Sequence, residues 1–172
     1  NVPETTLVLN GDESLLGKLD LKNPVHFYGF DKAVNDNKTI EINADAKFCK
    51  FCKTPYEYNF VTYNHLGDFY CPNCGYKRSD LMYSVTDIID INADKSTVKF
   101  NDLEVSIKQS GTYNIYNGLC AYSIAKELGI SDSAIKKSLE NQSSSFGRQE
   151  TINIEGKDVK IFLVKNPAGY NQ

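Results

Sequence analysis

The 172-residue sequence contains no apolar run approaching the roughly 20 residues that a membrane-spanning helix needs. It also has no excess of positive charge. Its net charge of -3 and isoelectric point near 5.4 argue against a general binder of nucleic-acid phosphates, which needs a positive face. Nothing in it resembles a secretory signal, which argues against a disulfide framework. Its 41% hydrophobic and 24% charged residues are typical of a globular protein, and its length allows one α/β domain and a small module.

The sequence lacks a complete phosphate-binding loop. Residues 11–19 read Gly-Asp-Glu-Ser-Leu-Leu-Gly-Lys-Leu, but five residues instead of four separate the two glycines, and Leu19 replaces the Ser or Thr that would contact magnesium. His26 lies inside a predicted strand, where a lone histidine is more often a packing residue than a ligand. We assign no catalytic residue, because no nucleophile, general base or triad can be identified.

Cysteine is scarce but clustered. Four of the five cysteines form two Cys-x-x-Cys pairs that are eighteen residues apart, Cys49 with Cys52 and Cys71 with Cys74. Each pair can place two thiolates at neighbouring corners of a tetrahedron, and the segment between the two pairs is long enough to fold back. The spacing therefore predicts a four-cysteine zinc site. Two disulfides or four unrelated thiols are the alternatives. Because four thiolates leave no position for water or substrate, we expect the zinc to be structural and to supply folding free energy.

The segment around the cysteines, residues 46–80, is predicted to be a zinc ribbon. Gly75 can adopt the positive φ that turns N–H groups toward the sulfurs, whereas Lys53 holds the matching place after the first pair and makes that turn less regular. Residues 64–68 can turn the intervening segment back into a hairpin. Three aromatic residues alternate with polar ones in it: Tyr56, Tyr58 and Phe60. Exposed aromatics can stack on bases, so a nucleic-acid-binding ribbon is an alternative function, and a protein-docking module is another.

The remaining segments alternate between strand and helix patterns. The predicted strands are residues 5–10, 25–30, 84–91, 97–100, 103–107, 151–154 and 159–164. The predicted helices are residues 13–19, residues 111–128, and a further helix that Ser131 caps and that carries Ile135 and Leu139. The first strand is typical of a parallel sheet, and the strands of residues 84–107 are typical of an antiparallel meander. We predict an α/β domain, residues 1–45 and 81–172, that the ribbon interrupts.

Three segments resemble motifs of the central, ATP-binding domain of the Mur ligases, which add amino acids to the peptidoglycan precursor. Residues 9–13 (Leu-Asn-Gly-Asp-Glu) are similar to the family's Asn-x-Asp-Asp strand end, and residues 111–117 (Gly-Thr-Tyr-Asn-Ile-Tyr-Asn) are similar to Gly-x-His-Asn-x-x-Asn. Residues 147–150 (Gly-Arg-Gln-Glu) are similar to Gly-Arg-Phe-Glu. With the inserted ribbon and residues 165–169 (Lys-Asn-Pro-Ala-Gly), the chain is similar over essentially its whole length to the branch of the family that amidates lipid II.

The resemblance implies a reaction. ATP, with magnesium, would phosphorylate the α-carboxyl of the D-glutamate in the lipid II stem peptide. Ammonia, released from glutamine by a GatD-like glutaminase subunit, would then displace phosphate and give D-isoglutamine. The resemblance also implies a cytoplasmic protein that acts at the inner face of the cell membrane as a heterodimer with that glutaminase, without a nucleic-acid partner.

Four residues receive expected roles from the same resemblance. Asn114 and Asn117 fall where the family holds the adenine. Tyr113 stands where the family's motif has its His. Arg148 falls where an arginine contacts the nucleotide phosphates, and Asn166 where relatives have an Asp on the ribose. The alternatives are that Asn114 caps its helix and that Arg148 is a solvated loop charge.

The chain begins at Asn1 without Met and ends just after a Pro/Gly turn, so we expect it to be an excised piece of a longer protein. The family's phosphate loop, upstream magnesium ligands and C-terminal domain have no counterpart in these residues, which match only the adenine side of an ATP site. We therefore predict that the 172-residue chain alone neither hydrolyses ATP nor amidates lipid II.

Overall fold

The computed structural model describes residues 2–40, 46–142 and 149–162, which form nine strands and two helices. The strands are β1 (Leu7–Asn10), β2 (Val25–Phe30), β3 (Glu57–Tyr63), β4 (Leu66–Tyr70), β5 (Tyr83–Ile91), β6 (Ser96–Phe100), β7 (Leu103–Ile107), β8 (Gln149–Ile154) and β9 (Lys157–Phe162). The helices are α1 (Thr112–Glu127) and α2 (Asp132–Asn141). Each strand whose bounds the sequence predicted is present, and its ends lie within two residues of the predicted ones.

Strands β1, β2, β5, β6 and β7 form one sheet in that order. β1 pairs with β2, and β2 with β5, in parallel, while β5, β6 and β7 form an antiparallel meander. The structure therefore confirms both the parallel start and the meander. The parallel pairing brings the carboxyl ends of β1 and β2 to one edge, which is the edge where open α/β sheets bind ligands.

Both helices pack against the sheet and form the main core with it. α1 buries Ile115, Leu119 and Tyr122, which recur at the spacing of one helix face. α2 buries Ile135 and Leu139. Burial of each of these side chains contributes on the order of 2 kcal/mol, so the contact fixes α1 over the sheet. Neither helix in the described part of the chain is long and apolar enough to cross a bilayer.

The start of α2 differs from its prediction in one respect. Ser131 lies at the N-cap position, but its hydroxyl contacts the hydroxyl of Ser133 at 3.2 Å and caps no N–H group. Its backbone carbonyl instead accepts hydrogen bonds from the N–H groups of Ala134 and Ile135, both at 3.0 Å. The predicted position is confirmed, and the predicted side-chain cap is wrong.

The predicted helix at residues 13–19 is wrong, because this segment forms successive turns. A helix would use the carbonyls of its first turn for its own N–H groups. Here the Tyr76 hydroxyl donates to the carbonyl of Ser14 at 2.6 Å, and the Lys50 ammonium group donates to the carbonyl of Leu15 at 3.2 Å. Donors from the cysteine-rich segment thus replace the intrahelical hydrogen bonds.

The cysteine-rich segment lies between β2 and β5 and forms its own two-stranded sheet of β3 and β4. Residues 64–65 turn this hairpin, as predicted. A second, smaller core lies inside it, made of Cys49, Tyr56, Tyr58, Val61, Phe69, Cys71 and Tyr76. We call residues 46–80 the ribbon. The domain boundaries themselves stay predictions, because residues 41–45 lie outside the described part of the chain.

β8 and β9 form an antiparallel hairpin that is turned at residues 155–156. Their register places four apolar residues on one face of the hairpin: Ile152, Ile154, Val159 and Ile161. These side chains are between 40% and 53% exposed. On the other face, Lys160 forms an ion pair with Asp94 in the turn between β5 and β6.

Candidate metal centre and ligand site

The four predicted zinc ligands come together in the ribbon. The Sγ atoms of Cys49, Cys52, Cys71 and Cys74 all lie within 4.8 Å of one another. Those of Cys49 and Cys74 are 3.6 Å apart, and those of Cys52 and Cys71 are 3.4 Å apart. Sulfurs at about 2.3 Å from a tetrahedral zinc ion are about 3.8 Å from one another, whereas a disulfide needs about 2.05 Å. The four thiols therefore fit a tetrahedral metal ion and not a pair of disulfides.

The two cysteine turns have the same backbone geometry. The N–H of Lys53 donates to the carbonyl of Cys49 at 2.9 Å, and the N–H of Gly75 donates to the carbonyl of Cys71 at 3.1 Å. Both donors have a positive φ, 64° for Lys53 and 71° for Gly75. The first turn is therefore as regular as the second, contrary to the prediction, although this backbone costs a lysine about 1 kcal/mol more than a glycine.

Local hydrogen bonds set the proton affinity of the thiols. The hydroxyl and N–H of Thr54, together with the side chain of Asn73, lower the pKa of Cys52 to about 5. The N–H of Tyr76 favours the thiolate of Cys74, but burial and the neighbouring thiols raise the pKa of Cys74 to about 12. All four thiols cannot ionise together without a cation, because their charges repel one another. A divalent metal ion supplies the charge that balances them.

Aromatic rings fill the space beside the cysteine turns. Phe69 packs against Tyr56 and Tyr76, with ring centroids 5.2 and 5.5 Å apart, and Phe51 packs edge-on against Tyr76 at 5.0 Å. Tyr56, Phe69 and Tyr76 are buried, as is Tyr58. Two of the three alternating aromatics of the hairpin are therefore not exposed for base stacking. Tyr56 and Tyr58 therefore give no support to the nucleic-acid alternative.

A buried carboxylate lies just after β1. Asp12 is fully buried and accepts hydrogen bonds from the N–H of Phe30 at 2.9 Å, the hydroxyl of Tyr116 at 2.6 Å and the guanidinium of Arg78 at 3.0 Å. Burial raises the pKa of Asp12, although Arg78 and the hydrogen bonds favour the carboxylate. Position 29 has to be glycine, because a Cβ on Gly29 would lie 2.5 Å from an Asp12 carboxylate oxygen. Asp12 thus joins β2, α1 and the ribbon.

Arg78 connects the ribbon to this carboxylate. Its guanidinium also forms ion pairs with Asp31 at 3.2 Å and with Asp68 at 3.3 Å, and it lies 5.8 Å from the centre of the Phe60 ring. Burial disfavours the charged form, but the three carboxylates outweigh it and raise the pKa of Arg78. The charge of Arg78 is therefore balanced by carboxylates between the ribbon and the sheet, and it does not add to a basic surface.

The two asparagines predicted to hold adenine lie three residues apart on α1 and share one face near its start. Asn114 is buried and donates from Nδ2 to the carbonyl of Ser110 at 2.6 Å, so the alternative role as a helix cap is wrong. Asn117 is exposed. Tyr113 packs against Tyr63 of the ribbon, with ring centroids 6.3 Å apart. The ribbon therefore reaches the segment that carries the predicted adenine contacts.

Arg148 and Asn166 lie outside the described residues, so their expected contacts with phosphate and ribose stay predictions. His26 lies on β2, and its side chain is 30% exposed. Its Nδ1 atom lies 2.5 Å from a carboxylate oxygen of Glu127, near the end of α1. That contact ties β2 to the helix.

A pocket of about 270 Å³ opens beside the carboxyl end of β1. The sheet side supplies Asn10, Glu13 and Leu16, and the ribbon hairpin supplies Tyr63, Asn64, His65 and Leu66. His65 Nε2 lies 2.6 Å from Glu13 Oε2 and joins the two sides. Burial raises the pKa of Glu13, but the hydrogen bonds from His65 and from the N–H of Leu15 outweigh it and lower the pKa. His65 is not part of the cysteine cluster.

Comparison with known proteins identifies the relatives of the chain. No protein-family model matches it. A protein named lipid II isoglutaminyl synthase (glutamine-hydrolyzing) subunit MurT from Streptococcus pneumoniae is 36% identical over 171 residues, and its namesake from Staphylococcus aureus is 31% identical over 166 residues. These alignments cover 99% and 96% of this chain. The chain is a MurT homologue. It spans 38% and 37% of the length of these two relatives.

A solved structure supports the fold of the MurT-like chain. The pseudomurein peptide ligase type C from Methanothermus fervidus matches it with a TM-score of 0.72 and 26% identity, over 95% of this chain and 32% of the ligase. The predicted α/β fold of the Mur ligase type is therefore confirmed.

Sequence reasoning missed the polar residues that join the ribbon of the MurT-like chain to its sheet. Asp12 and Glu13 belong to the motif of residues 9–13. Two acidic residues directly after a predicted strand are a signal that could have identified them. No local signal marks Arg78 or Tyr116, which lie 66 and 104 positions from Asp12 along the chain.

Proposed function

We propose that this chain is part of an ATP-dependent ligase subunit that amidates lipid II. The proposal rests on the 36% identity over 171 residues to a protein named as the MurT subunit of a glutamine-hydrolysing lipid II isoglutaminyl synthase. That name supports lipid II as the substrate and glutamine as the nitrogen source. The word subunit supports a partner, which we propose to be a GatD-like glutaminase. The heterodimer would work in the cytoplasm at the inner face of the cell membrane, without nucleic acid.

The proposed reaction consists of two displacements. A carboxylate oxygen of the D-glutamate in the stem peptide attacks the γ-phosphorus of ATP, which gives an acyl phosphate and ADP. Ammonia then attacks the acyl carbon, phosphate leaves with the electrons of the C–O bond, and loss of a proton gives D-isoglutamine. Magnesium and cationic side chains are needed because negative charge accumulates around the phosphoryl group in transfer.

Within this chain we assign the adenine side of the ATP site to α1. Asn114 and Asn117 each carry an amide with two donors and an acceptor, which matches the edge of a purine. Asn117 is exposed on the same face of the helix, which supports a contact with a ligand from solvent. Arg148 is assigned to the phosphates and Asn166 to the ribose.

We assign a structural zinc ion to the four-cysteine cluster. The spacing of the sulfurs supports this assignment, and so do the matching turns that present them. When bound, zinc supplies folding free energy to the ribbon and leaves no position for water. Elemental analysis of the purified protein should find one zinc ion per chain. Folded protein with no tightly bound metal would contradict the assignment.

The ATP site is tested by substitution in the full-length protein. Asn117→Ala should weaken ATP binding, measured by calorimetry, by about tenfold, because it removes two hydrogen bonds to the base. Asn141→Ala is the matched control, since Asn141 is an exposed asparagine on α2. Equal ATP affinity in both variants would contradict the assignment of α1.

The activity is tested with the full-length protein, a GatD-like partner, lipid II, ATP and glutamine. Mass spectrometry of lipid II should detect conversion of the D-glutamate acid to the amide. The 172-residue chain alone should not turn over ATP, because its sequence contains no complete phosphate-binding loop.

A further inference from the structure

The loop that follows β1 receives its hydrogen bonds from the ribbon. We call residues 12–17 the β1 loop. The buried hydroxyl of Tyr76 donates to the carbonyl of Ser14 at 2.6 Å. The ammonium group of Lys50 donates to the carbonyl of Leu15 at 3.2 Å and also to the carbonyl of Gly17. Two side chains of the ribbon thus hold three carbonyls of one short loop.

The hairpin of the ribbon holds the beginning of the same loop. His65 binds the carboxylate of Glu13 at 2.6 Å, and the N–H of Gly67 donates to the carbonyl of Asp12 at 3.3 Å. Arg78 binds the side chain of Asp12 at 3.0 Å. The ribbon therefore binds the β1 loop at both ends and in the middle. In a regular helix, hydrogen bonds within the segment itself would take the place of these contacts.

The donors lie close to the predicted metal ligands. Lys50 directly follows Cys49, and Tyr76 comes two residues after Cys74. The same turns that present the sulfurs therefore place the Lys50 and Tyr76 side chains on the loop. A ribbon whose turns are not assembled cannot deliver both donors together.

The β1 loop lies at the edge of the sheet where α/β proteins bind ligands. The pocket of about 270 Å³ at this edge has the loop residues Glu13 and Leu16 on one side and the hairpin of the ribbon on the other. His65 in that wall is 8% exposed, and its Nδ1 atom is buried without a hydrogen-bond partner among the described residues. Tyr63 beside it contacts Tyr113, next to the predicted adenine-binding asparagines.

We propose that the ribbon is a positioning part of the ligand site. It fixes the β1 loop through Lys50, Tyr76 and His65, and it forms one wall of the cleft at the end of β1. Ligand affinity then depends on contacts made by the ribbon. This inference rests on the proposed function for the identity of the ligand, and ATP is the probe for it.

The test is Tyr76→Phe in the full-length protein. Phenylalanine keeps the ring among Tyr56, Phe69 and Phe51 but removes the donor to Ser14. We expect hydrogen exchange of the β1 loop amides to accelerate by about tenfold, while the amides of β3 and β4 keep their protection. ATP affinity should fall about threefold to tenfold, and the zinc content should stay the same. Loss of protection across the whole ribbon would instead indicate a purely structural role and would overturn the proposal.

Two matched controls separate the contact from general effects. Tyr70→Phe removes a hydroxyl that binds Glu57 inside the hairpin, and it should change neither loop exchange nor ATP affinity. Lys50→Met should act like Tyr76→Phe, whereas the exposed Lys53→Met should not. Unchanged loop exchange or unchanged ATP affinity in both Tyr76→Phe and Lys50→Met overturns this inference alone. Wild-type protein that does not bind ATP overturns the proposed function, and the inference with it.

Discussion

At the scale of single residues, Asp12 receives its three donors from β2, α1 and the ribbon. A buried carboxylate is tolerated only when its partners are in place, because removal from water penalises the charge. Its partners are equally dependent on it, since Arg78 is 13% exposed at its side chain and the Tyr116 hydroxyl has been taken out of water. Loss of the acid therefore leaves a buried cation without its nearest counter-charge.

Asp12→Ala should lower the free energy of unfolding by about 3–5 kcal/mol, because it removes one partner of a buried ion pair. Urea unfolding followed by circular dichroism measures the change. Asp102→Ala is the control, since Asp102 is an exposed turn residue and its replacement should shift stability by less than about 0.5 kcal/mol. Similar stabilities for the two variants would show that the buried acid is not important for folding.

The sequence predicted the metal ligands at the residue scale because Cys-x-x-Cys spacing is a local signal. It could not predict the partners of Asp12, since those contacts join positions that are 18, 66 and 104 residues away. Pairings over such distances depend on the completed fold. The same reason explains why Lys50 and Tyr76 were not assigned to the β1 loop.

At the scale of elements, the two cysteine turns of the ribbon are built alike on different residues. Gly75 and Lys53 both take a left-handed backbone and donate to the carbonyl of the first cysteine of their turn. A Cβ on Gly75 would meet nothing within 4 Å, so the backbone conformation alone separates glycine from other residues there. The two positions therefore form a natural pair for substitution.

Gly75→Ala should destabilise the metal-loaded ribbon by about 1 kcal/mol, because alanine is strained at positive φ. Lys53→Gly at the equivalent position should be neutral or slightly stabilising, since it relieves the same strain. Chelator competition measures metal affinity in both variants. The prediction fails if Gly75→Ala binds metal as tightly as the wild-type protein does.

Strands and α1 followed from local patterns, because alternation and helical spacing are properties of short segments. The segment at residues 13–19 shows the limit of that reasoning. Its composition permits a helix, but Lys50 and Tyr76 occupy the carbonyls that a helix would use. Tertiary hydrogen bonds therefore overrode local propensity at the place where the ribbon meets the sheet.

At the scale of the whole molecule, the described residues contain two separate cores. One is made by the sheet with α1 and α2, and the other lies inside the ribbon around the cysteines and aromatic rings. Only the second depends on the metal cluster. The two cores meet through the polar contacts of Asp12, Arg78 and the β1 loop. Three ribbon side chains, Phe60, Tyr63 and Leu66, also pack against the core of the sheet.

Removal of metal should therefore unfold the ribbon before the sheet. Chelation is expected to abolish amide protection in residues 46–80, because uncompensated thiolates repel one another, while β5 to β7 and α1 stay protected. Hydrogen exchange with mass spectrometry resolves the two regions, and elemental analysis verifies that the metal has left. Simultaneous loss of protection in both cores would show that they are one cooperative unit.

The hairpin of β8 and β9 exposes an apolar face through which two copies of the isolated chain can associate. Its apolar face, with Ile152, Ile154, Val159 and Ile161, is open to water in the described structure. Two-stranded sheets are marginal on their own, and an open apolar face of this kind pairs readily with a copy of itself. Preparations of the 172-residue chain are thus expected to self-associate as concentration rises, and Ile154→Lys should restore monodispersity.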